Sequence, residues 1–588
     1  MGCLQRLAVL LVGLSMAAQT PPPVTIGATI DAEFTDLHWQ RRSLAELDAP
    51  VATVIYFATV ECPLVRRYMP AVGELALSYA NRGVVTLVVN VGTGDAFVDA
   101  AAQVVEHAPS AVFGWDASHD LARACGIART GTVVVLDGGR KLRYRGRLDD
   151  LHGLAGSRSA PTREDLRLAL EELLAGRPIE VSETTVAGCL LTPLPTPSPG
   201  RVPTYSGDVA PILTRHCLRC HRDDANGAMA LAREEDVRKH AAMMVEVTQQ
   251  GRMPPWFAGP VDVPFQNRRG LSLAQRETIR AWFAGGMPGG EPVEERRHPM
   301  RMDWRVGAVD LVVDASHPIK IPASGALPYQ YVEMQYEFAE ETWVEAIEIR
   351  PQATRVLHHC NLAVVRRGEA FTPTHWLTNY TPHGGALVCP PGVAVRIPAR
   401  SRLVLQAYYV PNGREVIDRP QVGMRFPKAP VHKQARVLAV GSESFEIPAG
   451  ARAHRVSAST TVPDNAVGLA LFAHLHVRGR DVTVVALSPE GSRRTLLLVP
   501  NYNFGMQEMF LWPREAMALD KGTTIEVKAH FDNSPWNPAN PDHARVARPG
   551  PAIDDESLQV ALVWYGRDDH LGIVVDPATG RREGSSPK

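Results

Sequence analysis

The sequence predicts a multidomain chain that runs through three architectures in turn: an α/β domain, a small all-α domain and two all-β sandwich domains. Three observations carry this. Strand and helix signals alternate over the first 190 or so residues, helical periodicity fills a short segment bounded by Pro- and Gly-rich stretches, and two-residue alternation dominates beyond about residue 300. At 588 residues the chain is also too long for one hydrophobic core.

In the first segment, Val51-Ala52-Thr53-Val54-Ile55-Tyr56-Phe57 is a β-branched apolar run of the kind found in a buried strand. The pattern then predicts a helix from Pro63 to about Asn81, a second buried strand from Val84 to Val91 and a third at Val133 to Leu136. A hairpin around Asp137-Gly138-Gly139 and a helix from Arg163 to Leu174 complete the α/β reading.

Thr192-Pro193-Leu194-Pro195-Thr196-Pro197-Ser198-Pro199-Gly200 reads as a stiff, extended spacer, and Gly285-Gly286-Met287-Pro288-Gly289-Gly290-Glu291-Pro292 as a second boundary. Between them, Ser206 to Leu213, Glu234 to Gln250 and Ser272 to Ala284 read as helices. Farther on, Leu403, Leu405, Ala407 and Tyr409 alternate with Arg402, Gln406 and Tyr408, the period of a half-buried strand.

Net charge is −1, so the composition demands no basic face, and neither nucleic acid nor an anionic membrane is an expected partner. Arg6, the apolar stretch Leu7 to Met16 and the small residues Ser15, Ala17 and Ala18 read as an export signal too short to span a bilayer. No later run is apolar for 18 residues, so the mature chain is expected to be periplasmic or secreted, without a transmembrane segment.

Cys217-Leu218-Arg219-Cys220-His221 carries the most specific chemistry. Two thiols three residues apart, with an imidazole beside the second, let one turn of chain attach a haem through two thioethers and ligate its iron. The expected cofactor is covalent haem c on Cys217 and Cys220, with His221 as proximal ligand. Met253, in Gly251-Arg252-Met253-Pro254-Pro255-Trp256, follows a helix at a rigid turn and is the expected distal ligand. Met243, Met244 and His240 on that helix read as core or surface residues. Residues 205 to 290 resemble the c-type cytochrome modules fused into bacterial exported proteins, where an Arg-Met-Pro-Pro-Trp stretch recurs.

Setting aside Cys3, in the signal, and the haem pair leaves Cys62, Cys125, Cys189, Cys360 and Cys389, an odd set in which at least one thiol has no intramolecular partner. A strand, then Thr59-Val60-Glu61-Cys62-Pro63, then a long helix resemble the thioredoxin and peroxiredoxin superfamily. At a helix N-terminus the dipole and unpaired N–H groups favour the Cys62 thiolate, and the resemblance implies thiol–disulfide exchange or peroxide reduction with Cys62 as the catalytic thiol. The second cysteine of a CxxC is replaced by Val65, the peroxiredoxin proline by Ile55, and the loop that usually presents a cis-proline reads Thr130-Gly131-Thr132. Cys125 and Cys189 are the candidate resolving partners.

Residues 300 to 567 resemble the copper type II, ascorbate-dependent monooxygenases, which hold one copper in each of two sandwiches. Val356-Leu357-His358-His359 matches the paired histidines of the first copper, and Phe472-Ala473-His474-Leu475-His476 the His-x-His of the second. Residues two apart on a strand share a face, so His474 and His476 can reach one metal while Leu469, Leu471, Ala473 and Leu475 take the opposite face. His358 and His359 can share a metal only at a bulge or strand end. Tyr408 stands where the family has its third histidine and Ser557 where it has its methionine. Cys360 and Cys389 are a candidate disulfide in an oxidising compartment.

The expected boundaries are 1–18 signal, 24–191 thioredoxin-like domain, 192–204 linker, 205–290 haem domain, 300–432 and 436–567 the two sandwiches, and 568–588 a tail. Three readings follow. One is an oxidoreductase in which haem passes electrons from a redox partner to copper that oxidises a small substrate. Another is a non-enzymatic electron-transfer or binding protein with degenerate copper sites, and a third reading makes Cys62 the working centre with the remainder of the chain as its redox partner.

Overall fold

The computed structural model describes residues 24–583 except 48–50, 154–155, 193–199, 222–228, 292–303, 367, 370–374, 383 and 385. The export signal and the body of the Pro-rich spacer therefore lie outside the described residues.

The N-terminal domain is built on a seven-stranded mixed sheet. Its strands are β1 (Glu33–Thr35), β2 (Arg41–Ser43), β3 (Ala52–Ala58), β4 (Val84–Asn90), β5 (Val112–Trp115), β6 (Val133–Asp137) and β7 (Leu142–Gly146), in the order β2-β1-β5-β4-β3-β6-β7. The central β3 is buried along its whole length, which is why its sequence is a continuous apolar run rather than an alternating one. It pairs in parallel with β4 and antiparallel with β6. Helices α1 (Pro63–Ala80), α2 (Phe97–His107) and α4 (Asp165–Leu174) cover one face, and the short α3 (Asp120–Ala124) lies on the other. The α2, α3, β1, β2 and β5 elements went unread in the sequence, being short or rich in alanine.

Between residues 200 and 291 the described regular elements are helical: a π-helical turn at Tyr205–Val209, then α5 (Ala210–His216), α6 (Glu234–Gln249) and α7 (Leu273–Ala284). Ser272 caps α7 in a reciprocal capping box with Gln275. Val209, Leu213, Leu218, Val237, Ala241, Met244 and Trp282 form a small core of their own. The chain after α6 leaves that core, and Trp256, Phe257 and Phe265 join the core of the second β-region.

The remainder is β-structure with two large cores. The two β-regions share a sheet: strand Val393–Ile397 pairs in parallel with Lys433–Ser442, which pairs with Leu558–Gly566 and, through it, with Ala466–Leu475. Residues after Gly566 fold back, Ile573 pairing with Val431 and Arg581 with Thr342.

One expectation is corrected. Cys360 and Cys389 are free, buried thiols and are not disulfide-bonded. Cys360 lies in a strand of one sheet and Cys389 just beyond a strand of the facing sheet. Each packs as a thiol in the first core, where burial pushes its pKa well above the usual range. Among the described residues no helix is long and apolar enough to cross a membrane.

Candidate functional site

Cys62 is the N-cap of α1, with Pro63 in the first turn, so β3 delivers it directly to the positive end of an 18-residue helix. The residues after α4 run back along the sheet edge, and Gly188-Cys189-Leu190 pairs with the loop before β6. The Thr130 N–H donates to the Cys189 carbonyl at 2.9 Å, and Arg129 pairs with Leu190. Gly188 is required there, because a Cβ would stand 1.6 Å from the Thr130 carbonyl oxygen. This path sets Cys189 Sγ 3.3 Å from Cys62 Sγ.

The Thr130 hydroxyl donates to Cys62 Sγ at 3.2 Å, from the loop that sequence reasoning had marked only by its missing proline. Burial pushes the Cys62 thiol up, but the hydrogen bonds from Thr130, the Val65 N–H and Cys189 outweigh it and leave the thiol below its usual range. Cys189 is raised, by its hydrogen bond to Cys62 and then by burial. Cys125, the other candidate partner, is fully buried in the core on the opposite face of the sheet, and burial raises its thiol to about 12. Of the two candidates, Cys189 is the one that lies against Cys62.

Residues 25–159 match the Redoxin family model. The N-terminal domain is thioredoxin-like. Solved structures similar to this domain include a hypothetical protein from Sinorhizobium meliloti 1021, at 27% identity over 30% of this chain and 97% of that one, with a TM-score of 0.27. An uncharacterized conserved protein from Geobacillus kaustophilus is 26% identical over 30% and 94%, with a TM-score of 0.25. The thioredoxin domain of a thiol-disulfide oxidoreductase from Bacteroides vulgatus is 14% identical over 26% and 99%, with a TM-score of 0.21. No curated protein matches the chain.

In the helical segment, Cys217 caps the C-terminus of α5, and the Cys220 and His221 N–H groups both donate to its carbonyl at 3.0 Å, closing one turn. His221 Nδ1 is 2.9 Å from the Met229 carbonyl oxygen, which commits that nitrogen as a donor and orients the ring. Burial, then the neighbouring Cys220, raises the Cys217 thiol to about 12. Met253 donates its N–H to Val247 and belongs to the segment anchored by Trp256 in the β-region. Met229 and Met287, which sequence reasoning had not singled out, pack against the small core, as Cys217 does.

The four predicted histidines of the β-region come together. His358 is the extra residue of a β-bulge, where the register passes from Leu357 opposite Tyr409 to His359 opposite Tyr408. The bulge turns both rings the same way, and their Nδ1 atoms are 2.9 Å apart. His474 and His476 share a face of strand Ala466–Leu475 and its exit, with ring centroids 5.1 Å apart. Opposite them, Leu471, Ala473 and Leu475 enter the second core; Leu469 falls at a bulge in that strand and packs with the first core instead. The two pairs meet, the His359 and His474 centroids lying 5.5 Å apart. The Tyr408 ring lies 5.5 Å from that of His359.

Partners outside the motifs fix these rings. Tyr329 Oη is 2.9 Å from His359 Nε2, Gln507 Oε1 is 2.9 Å from His474 Nδ1, and the Asp555 carbonyl is 3.2 Å from His476 Nδ1. Phe504 stacks on His358 at 5.0 Å. Tyr329, Gln507 and Phe504 sit in segments without a spacing signature, so nothing in the sequence announced them. Burial, then the proximity of His474, lowers His358 to about 4 and His476 to about 3, and His359 is lowered for the same reasons, so the rings are neutral imidazoles near pH 7. A cavity of about 400 Å³ opens beside His474 and His476, lined also by Tyr329, Glu556 and Ser557. Among the described residues, no group of three or more His, Cys, Asp and Glu side chains is arranged to hold a metal ion. The imidazoles are offered as two pairs.

The helical segment docks beside this cluster. Arg269 pairs with the buried Glu508, which also feels the charges of Arg219, inside the CxxCH, and Arg305. Glu508 follows Gln507, the residue that holds His474.

Proposed function

We propose that this chain is an exported thiol–disulfide redox protein in which Cys62 and Cys189 interconvert between dithiol and disulfide, joined to one-electron carriers in the rest of the chain. The 3.3 Å approach of the two sulfurs carries the reading. It supplies the second thiol that the Thr59-to-Pro63 motif lacks, with Thr130 and the helix N-terminus favouring the Cys62 thiolate.

Haem c fits the residues of the helical segment. Cys217 and Cys220 stand one turn apart, neither of them in a disulfide, and His221 has Nδ1 committed to a carbonyl, the arrangement that leaves Nε2 for iron. Bound there, haem would supply one-electron transfer. Met229 and Met287 join Met253 as candidates for the distal position because, like Cys217, they pack against the small core.

Copper fits the β-region as two two-imidazole half-sites. Nδ1 atoms 2.9 Å apart match two nitrogens on one metal at bond lengths of about 2.0–2.1 Å, and Gln507 and Asp555 orient His474 and His476 as outer partners do. Copper there would supply a redox couple beside the cavity. Tyr408 and Ser557 add no strong third donor, so we assign the region to weak metal binding and electron storage before substrate hydroxylation.

The test is redox equilibration of the full chain in glutathione buffers, followed by alkylation and peptide mapping. A Cys62–Cys189 cross-linked peptide that titrates reversibly supports the reading. Absence of that peptide under fully oxidising conditions overturns it.

A further inference from the structure

Building on the Cys62–Cys189 reading, we infer that disulfide exchange enters this domain through Cys189, and that Cys62 is the buried sulfur that leaves and returns. A cysteine at the N-terminus of the first helix would by itself be taken as the attacking thiol. Here access points the other way. Cys62 is only 2% exposed and lies in the core formed by β3, α1 and their neighbours. Cys189 is exposed, on an extended segment next to Leu190, which is 65% exposed. The segment is held by the Thr130 N–H and by the Gly188 close approach, so Cys189 stays over Cys62.

Exchange requires a thiolate to approach a disulfide sulfur from the side opposite the sulfur that leaves. With Cys62 beneath, the open approach is to Cys189 Sγ. A partner thiolate bonds to Cys189 Sγ, the Cys62–Cys189 bond breaks, and its electron pair departs on Cys62. The Thr130 hydroxyl at 3.2 Å and the helix N-terminus receive that thiolate. The partner's second thiolate then bonds to its own first sulfur and breaks the mixed disulfide. Cys189 leaves as thiolate and takes a proton from water. The partner loses two electrons and the pair gains them. In the reverse direction Cys189 attacks a partner disulfide, and Cys62 attacks Cys189 Sγ to expel the partner thiolate. The leaving-group preference agrees, since the sulfur with the lower thiol pKa departs faster, and Cys62 is the lowered member. The partner class is a dithiol or disulfide on a small molecule or flexible peptide.

The experiment uses the full chain with oxidised glutathione as probe, in Cys62→Ser and Cys189→Ser variants, read by intact mass and peptide mapping. Cys62→Ser is expected to accumulate a stable glutathionyl adduct on Cys189, and Cys189→Ser to acquire one on Cys62 at least about tenfold more slowly, because access limits exchange. In a second measurement, oxidised wild-type chain is mixed with reduced glutathione and quenched in acid, and the adduct is expected on Cys189. An adduct on Cys62 in the quenched wild type, or equal capture by the two variants, overturns the inference while leaving the pair intact. Failure of wild type to form the Cys62–Cys189 bond at all overturns the underlying reading instead.

Discussion

Tyr329 Oη and His359 Nε2 lie 2.9 Å apart, and the other ring nitrogen, Nδ1, faces Nδ1 of His358 at 2.9 Å, so each nitrogen of a 1%-exposed imidazole has one polar neighbour. Tyr329→Phe strips one of them of its partner without changing the packed volume. The expected cost is about 1–3 kcal/mol, that of a buried polar group left unpaired. A differential scan should show the β-region transition lowered by roughly 2–4 °C for each kcal/mol.

Thr130→Val removes the hydroxyl that donates to Cys62 while keeping the side-chain shape. Without that bond one of the contributions that oppose burial is lost, and the thiol pKa rises relative to wild type. Only the thiolate alkylates, so the variant's rate–pH profile should move to higher pH, with about a tenfold slower rate below the midpoint for each pH unit of displacement. Wild-type Cys62 should show its midpoint below the ordinary value of about 8.5. Coincident profiles for the two proteins would remove Thr130 from this role.

Protein matured with a haem-attachment system should keep a c-type spectrum after denaturation and acid–acetone extraction. Cys217→Ser with Cys220→Ser should release all haem to the solvent. Comparing Met229→Ala, Met253→Ala and Met287→Ala identifies the distal ligand as the one whose loss abolishes a sulfur-to-iron band.

Copper titration should give weak binding that His474→Ala and His358→Ala each reduce. Tyr408→His with Ser557→Met should raise occupancy, since it adds one strong donor to each pair. Tight uptake of two coppers by the unaltered chain, with brisk ascorbate-driven oxygen consumption, would show that two imidazoles per site suffice.

Glu508 is buried among Arg219, Arg269 and Arg305. Glu508→Gln removes the buried carboxylate that Arg269 pairs with, and breaking such a pair typically costs about 3–5 kcal/mol. Limited proteolysis should then cut the segment around residues 260–291 sooner than in wild type, because Arg269 no longer ties it to the β-region.

The sequence alone settled what is local. The apolar run at Val51–Phe57 became a fully buried central strand, Pro63 opened its helix, and the alternation at Leu403–Tyr409 gave one core-facing row. The CxxCH turn and the shared face of His474 and His476 follow from spacing within one element, where backbone geometry fixes which side chains are neighbours. Tertiary structure alone decided the rest. Cys189 pairs with Cys62 from 127 residues away because the chain after α4 returns along the sheet edge. Cys125 is excluded by lying on the other face of the sheet. His358 joins His359 only through a bulge, and the two meet His474 and His476 only where strands of two different sheets come together. Such contacts depend on the path of the chain between elements, and periodicity within each element carries no information about that path.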